Sequence, residues 1–150
     1  MAIRNIIHED DERLFKVSRP VEAFDEKLHC LLDDMAETMA KAEGVGLAAV
    51  QVGILRRVVV IDCGDGRIEL VNPRIVGQSG RQEGPEGCLS FPGEYYLVTR
   101  PNSVIVEAQD RYGRPFKIKG EGLKARAFCH EIDHLDGVVF KDKATAKYEG

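Results

Sequence analysis

Between residues 25 and 42, Leu28, Leu31, Leu32, Met35 and Met39 recur at three- and four-residue steps, the spacing that gathers side chains on one face of an α-helix. Gly44 follows just past the last of them, a residue suited to ending a helix. The pattern predicts an amphipathic N-terminal helix. Met35 and Met39 are expected in its core face, with Cys30 as filler and His29 as a surface residue. From residue 57 the period shifts. Runs rich in β-branched residues at 57–62, 68–76 (interrupted by Asn72-Pro73) and 95–99 read as strands. Segments 103–109 and 115–119 flank Asp110-Arg111-Tyr112-Gly113 and read as a hairpin. No helices separate these runs at regular intervals, so the expected fold class is α+β, with mixed or antiparallel sheets.

A second helix is expected after Gly120-Glu121-Gly122 and before Gly137. Ala125, Phe128, Ile132 and Leu135 form its apolar face, and His130 and His134 lie roughly opposite. This helix is therefore expected at the centre, with the sheets packed around it. Val138-Val139-Phe140 should follow as a short strand or core segment. Upstream, residues 44–51 (Gly44-Val45-Gly46-Leu47-Ala48-Ala49-Val50-Gln51) read as a small-residue loop and helix start.

Composition narrows the setting. A chain of 150 residues, 43% hydrophobic and 31% charged, is expected to form one domain over 1–150 with a core that needs no disulfides. A net charge of −4 argues against nucleic acid as the main partner. Glu9-Asp10-Asp11-Glu12 interrupts the N-terminus before any leader-like apolar stretch, and no run approaches membrane length, so a cytoplasmic protein with no membrane partner is expected. In that compartment the four cysteines are read as thiols.

The chemistry is concentrated in His130-Glu131-Ile132-Asp133-His134. Four residues of helix turn the chain through one revolution plus about 40°, so both imidazoles reach one metal ion from one face. Glu131 falls beside that face, placed to act as a base without being a ligand. A third ligand is needed. The downstream pattern of one peptidase family would require histidine at 140, where the chain has Phe140, and Asp142 and Glu149 are poorly placed for another. Cys88, in Glu86-Gly87-Cys88-Leu89-Ser90, is the preferred upstream candidate, because a thiolate is a strong divalent-metal ligand. Cys30 and Cys63 lack comparable neighbours, and Cys129 points about 100° away from the histidine face. From ligands alone Zn²⁺, Co²⁺, Ni²⁺ or an electron-transfer copper would fit; Glu131 disfavours the last.

Three segments taken together, GxGLAAxQ at 44–51, EGCLS at 86–90 and HExDHLxG at 130–137, resemble the signature motifs of the peptide deformylases, enzymes that remove the formyl group from N-formylmethionyl nascent chains. The resemblance implies that Cys88, His130 and His134 hold one divalent metal, normally Fe²⁺, with a water in the remaining position. It implies that Glu131 is the general base and acid, and that the Gln51 side-chain amide and the Leu89 backbone N–H stabilise the oxyanion. Val45, Gly46, Glu86 and Gly87 would form the edge along which the peptide lies, beside an apolar pocket for the methionine. Any ribosome association would be transient and made without a long basic C-terminal helix. Two positions qualify the resemblance: Cys129 stands where the family usually has glutamine, and Arg126 falls where an aliphatic residue would make a simpler pocket. Arg126 is expected to rim the pocket or to pair with Glu86 or Asp133. A small metallopeptidase and a metal-binding module with a decayed site are the rival readings.

Overall fold

In the computed structural model, which describes residues 2–149, Asp25 opens helix α1 (Glu26–Lys41) by accepting the Leu28 N–H at 3.2 Å, an N-cap that satisfies one of the free donors of the first turn. Leu28, Leu31, Leu32, Met35 and Met39 are all buried, as their spacing requires. The same helix carries buried Asp34 and Thr38, which accept the backbone N–H groups of Ala2 and Arg4 and so tie down the N-terminal segment. Cys30 is exposed and not filler, with its thiol 3.7 Å from Asp34 Oδ2. His29 is half-buried and lies against the tip of a distant hairpin, its Nε2 2.8 Å from the Arg111 carbonyl oxygen.

Eight strands form two sheets: β1 (Gly46–Ala48), β2 (Val58–Ile61), β3 (Ile68–Ser79), β4 (Gln82–Cys88), β5 (Phe91–Arg100), β6 (Ser103–Gln109), β7 (Pro115–Glu121) and β8 (Ala144–Lys147). The first sheet has the order β1-β2-β3-β6-β7 and the second β4-β5-β8. Every ladder between these strands is antiparallel. Helix α2 (Leu123–Leu135) follows β7.

The five-stranded sheet is covered on both faces, which explains why Val58-Val59-Val60-Ile61 is apolar without interruption. Val58 and Val60, with Leu47 and Val71, pack on α1. Val59 and Ile61, with Leu70, Val104 and Val106, pack on Ala125, Phe128, Ile132 and Leu135 of α2. A third cluster, built on Leu14, Phe91, Val98 and Phe140, joins the smaller sheet to the rest.

Besides strand β8, which no pattern announced, the structure departs from the expected elements in four places. Residues 46–48 pair with β2 as β1 and only then turn into a 3₁₀ helix, Ala49–Val52. Asn72-Pro73 does not end β3. It makes a bulge at which Asn72 takes φ of 52° and bonds Val21 and Gln109 through its side chain. Strand β4 has almost no apolar residues and exists because it pairs with β5. Residues 138–140 form no strand; Phe140 opens a 3₁₀ turn and is buried.

Candidate active site

Cys88 ends β4 and pairs with Phe91 across the two-residue turn Leu89-Ser90, with a bulge between Glu86 and Cys88. The turn brings the thiol onto α2, where Cys88 Sγ lies 3.4 Å from His134 Nε2. One ligand atom each from Cys88, His130 and His134 can be chosen so that all three lie within 4.8 Å of one another. Two ligands bound tetrahedrally at metal–sulfur and metal–nitrogen distances near 2.3 and 2.1 Å would stand about 3.5 Å apart, so the Cys88–His134 spacing fits a shared metal ion. Both imidazoles are buried.

The orientation of His130 is set from behind. Its Nδ1 lies 2.7 Å from Glu86 Oε1, so with Nδ1–H donating, Nε2 carries the lone pair toward the ligand set. Glu86 is itself buried and receives Arg100 through two bonds of 2.8 Å, Nε to Oε2 and Nη2 to Oε1, and Arg126 Nη1 at 2.7 Å. Burial alone would raise the Glu86 carboxyl, but the bonds from Arg100 and His130 outweigh it and hold the group well below the usual carboxylate range. Arg100 continues to Asp133 Oδ2 at 2.7 Å, and Lys143 Nζ contacts the same carboxylate at 3.0 Å. Arg126 thus takes Glu86, and Asp133 is engaged by Arg100 and Lys143. Among the protein groups, burial disfavours charge on both rings. At His130 the acids around it, Glu131 first and then Cys88 and Glu86, win and raise its pKa well above the ordinary value. At His134 burial and the neighbouring His130 push it well below.

Glu131 points into the same space. Burial lifts its carboxyl to about 7, and its Oε1 has no hydrogen-bond partner among the described residues. A Cβ on Gly46 would lie 2.6 Å from Glu131 Oε2, so β1 can approach the carboxylate only because residue 46 is glycine. Gln51 completes the ring of polar groups. Its Oε1 accepts the Ala48 N–H at 3.0 Å, which turns Nε2 toward Ser90 Oγ at 3.1 Å and Cys88 Sγ at 3.6 Å.

These groups open into a cleft of about 390 Å³. Val45, Gly46, Gln51, Glu86, Gly87, Cys88, Leu89, His130 and Glu131 all line it, and His134 is fully buried behind. Every residue singled out from the sequence is therefore brought to one place. The cleft lies between β1 and β4, the outer strands of the two sheets. The Glu86 carboxylate faces inward, so residue 86 can meet a peptide only through its backbone. Leu123 and Ala127 of α2 and Tyr95 of β5 also line the cleft and were not anticipated. Arg100 was missed as well; a glutamate that had to be buried beside a histidine was the only signal for it. Cys129 is buried in the core cluster with Phe128 and lies outside the ligand set.

Two imidazoles and a cysteine sulfur about one point, with a carboxyl group and a side-chain amide beside them, define the site of a metal-dependent hydrolase. The polypeptide deformylase family model matches residues 3–149, and the chain belongs to that family. The peptide deformylase of Caldicellulosiruptor bescii is 57% identical over 143 residues, covering 95% of this chain and 86% of the relative. That of Acetivibrio thermocellus is 58% identical over 143 residues, covering 95% and 84%. The crystal structure of a peptide deformylase from Legionella pneumophila matches with a TM-score of 0.92 at 50% identity, covering 95% of this chain and 86% of that one. Among the described residues no helix is long and apolar enough to cross a membrane.

Proposed function

We propose that this chain removes the N-formyl group from N-formylmethionyl nascent polypeptides, giving formate and a free N-terminal methionine, as one catalytic domain over its 150 residues. The observation that carries the reading is the convergence of the Cys88, His130 and His134 ligand atoms beside a buried, unpaired Glu131 oxygen. Cys88, His130 and His134 would hold one divalent metal, Fe²⁺ by family resemblance, with Zn²⁺, Ni²⁺ and Co²⁺ compatible with the same donors. When bound, that ion supplies Lewis acidity to water and to the formyl oxygen.

The chain's own groups do the rest. Glu131 accepts a proton from the attacking water at its carboxylate and returns it to the leaving amine. Gln51 Nε2 and the Leu89 N–H donate to the negative charge that builds on the formyl oxygen. The peptide lies extended between Val45-Gly46 and Glu86-Gly87, adding to strand edges by backbone hydrogen bonds. The methionine side chain enters the part of the cleft lined by Leu123 and Ala127. Contacts made to backbone tolerate many residues after the first, as nascent chains require. We place the protein in the cytosol, in transient contact with ribosomes.

The test is formate release from formyl-Met-Ala-Ser by the Fe²⁺- or Ni²⁺-loaded protein, with Glu131→Gln as control. Release by the wild type and not by the variant is expected. Cleavage of an unformylated peptide, or tight binding of the formyl peptide without turnover, would overturn the proposal.

A further inference from the structure

Arg126 lies one turn before His130, on the α2 face that looks into the cleft, and its side chain is only 9% exposed. An arginine there is costly unless its donors are used. They are spread over two strands: Nη1 reaches Glu86 Oε2 at 2.7 Å, the Val98 carbonyl at 3.0 Å and the Gly84 carbonyl at 3.4 Å, and Nη2 reaches Gln82 Oε1 at 3.4 Å. Residue 84 borders the guanidinium: a Cβ there would stand 3.4 Å from Nη2 and 3.8 Å from Cζ, already in contact, so a branched side chain extending beyond Cβ would crowd it.

The charges explain why one arginine on Glu86 is not enough. Arg100 is shared between Glu86 and Asp133, and Lys143 reaches only Asp133, at the more exposed end of the cluster, so the buried Glu86 carboxylate has half of one arginine without a second cation. Arg126 supplies that cation at 2.7 Å. It also gives Glu86 Oε2 a second donor, matching Oε1, which serves Arg100 and His130. A carboxylate with both oxygens doubly engaged cannot rotate, and His130 turns with it.

We propose that Arg126 is a positioning residue for the reaction: it fixes Glu86 and through it the ligand nitrogen of His130, and it clamps outer strand β4 to the metal-binding helix. The proposal rests on the metal-site reading under Proposed function. The rival role is a plain wall of the methionine pocket, since Arg126 also lines the cleft.

The two roles separate experimentally. Apo-protein is titrated with Co²⁺, following the thiolate-to-metal absorption band, and kcat and KM for formyl-Met-Ala-Ser are measured on the loaded enzyme. Arg126→Met should weaken Co²⁺ binding tenfold or more, in the range typical of lost ligand-supporting partners. It should also lower kcat while KM moves less than about threefold. Arg126→Lys, which keeps the charge on Glu86 but not the fork of donors, should recover part of the Co²⁺ affinity. Gly84→Val, which crowds the guanidinium and leaves Arg126 in place, should weaken Co²⁺ binding in the same direction and keeps the idea testable if Arg126→Met does not fold. A folded Arg126→Met with wild-type Co²⁺ affinity and only a raised KM overturns the positioning role, as does wild-type Co²⁺ affinity in Gly84→Val. Wild-type protein that neither binds Co²⁺ nor releases formate would instead refute the site itself.

Discussion

Gly46→Ala adds one methyl group at the point where β1 meets the Glu131 carboxyl group. The new Cβ would lie 2.6 Å from Glu131 Oε2, 2.9 Å from Cγ and 3.0 Å from Cδ. Ordinary contact begins near 3.4 Å, so the carboxylate or the strand must give way by about 0.8 Å. The strand is held by its ladder to β2, Gly46 opposite Ile61, and by buried Leu47 and Ala48. The carboxyl end, with Oε1 unpaired among the described residues, is the softer partner. If Glu131 transfers the proton as proposed, a displacement of that size costs on the order of a hundredfold in rate, or about 2.7 kcal/mol of transition-state stabilisation. The three atoms nearest the new methyl all belong to Glu131 and none to the candidate ligands, so metal content should stay at the wild-type level. The assay is kcat/KM for formate release, with metal analysis and a thermal melt on the same sample. Full metal content and a kcat/KM within threefold of wild type would refute the idea that Gly46 is small for the sake of Glu131.

Four further outcomes are expected. Cys88→Ala should lose metal on dialysis under conditions where the wild type retains it, as read by elemental analysis; retention would remove Cys88 from the ligand set. Gln51→Leu should keep the metal and lower kcat about a hundredfold, the usual loss for one oxyanion donor, and an unchanged kcat would exclude the amide from that role. Because His130 has its pKa raised in the protein alone and must shed that proton to ligate, Co²⁺ affinity should rise from pH 6 to pH 8; a flat profile contradicts the assignment. Gly137 has φ of 74°, and a Cβ there would stand 2.5 Å from the Phe15 carbonyl oxygen, so Gly137→Ala should destabilise the fold by about 1–3 kcal/mol, read as a lower Tm.

The sequence disclosed much of this fold because burial imposed a pattern on it. Residues 28–39 show their helix through spacing, and Val58 to Ile61 show their strand through an apolar run that two covering helices demand. Strands β1, β4 and β8 were not legible. Gln82 to Cys88 alternates no hydrophobic face, and its extended form is imposed by its partner β5. The candidate ligands could be named because metal chemistry admits few residue types at few spacings. Their supporting partners could not, since Arg100 reaches Glu86 and Asp133 across 14 and 33 residues and no local period records such a contact. Arg126 was noticed as an oddity in its motif, and its partner Glu86 was one of two acids proposed for it. Gly84, whose carbonyl it also reaches, gave no sign.

Strand β4 has β5 on one side and, among the described residues, no strand on the other. A bare strand edge is an invitation to stick to a second copy of the same chain. Pro85 sits in the middle of β4, opposite Leu97, and a proline is tolerated in a ladder where its missing N–H would have faced away from the partner. The outward edge therefore lacks a donor at its centre, and exposed Glu83 adds a charge. What remains able to pair is a short reach near Gly87, the stretch along which the peptide is proposed to lie. The same proline that interrupts the edge would let the protein handle unfolded chains as they emerge while resisting coaggregation with them.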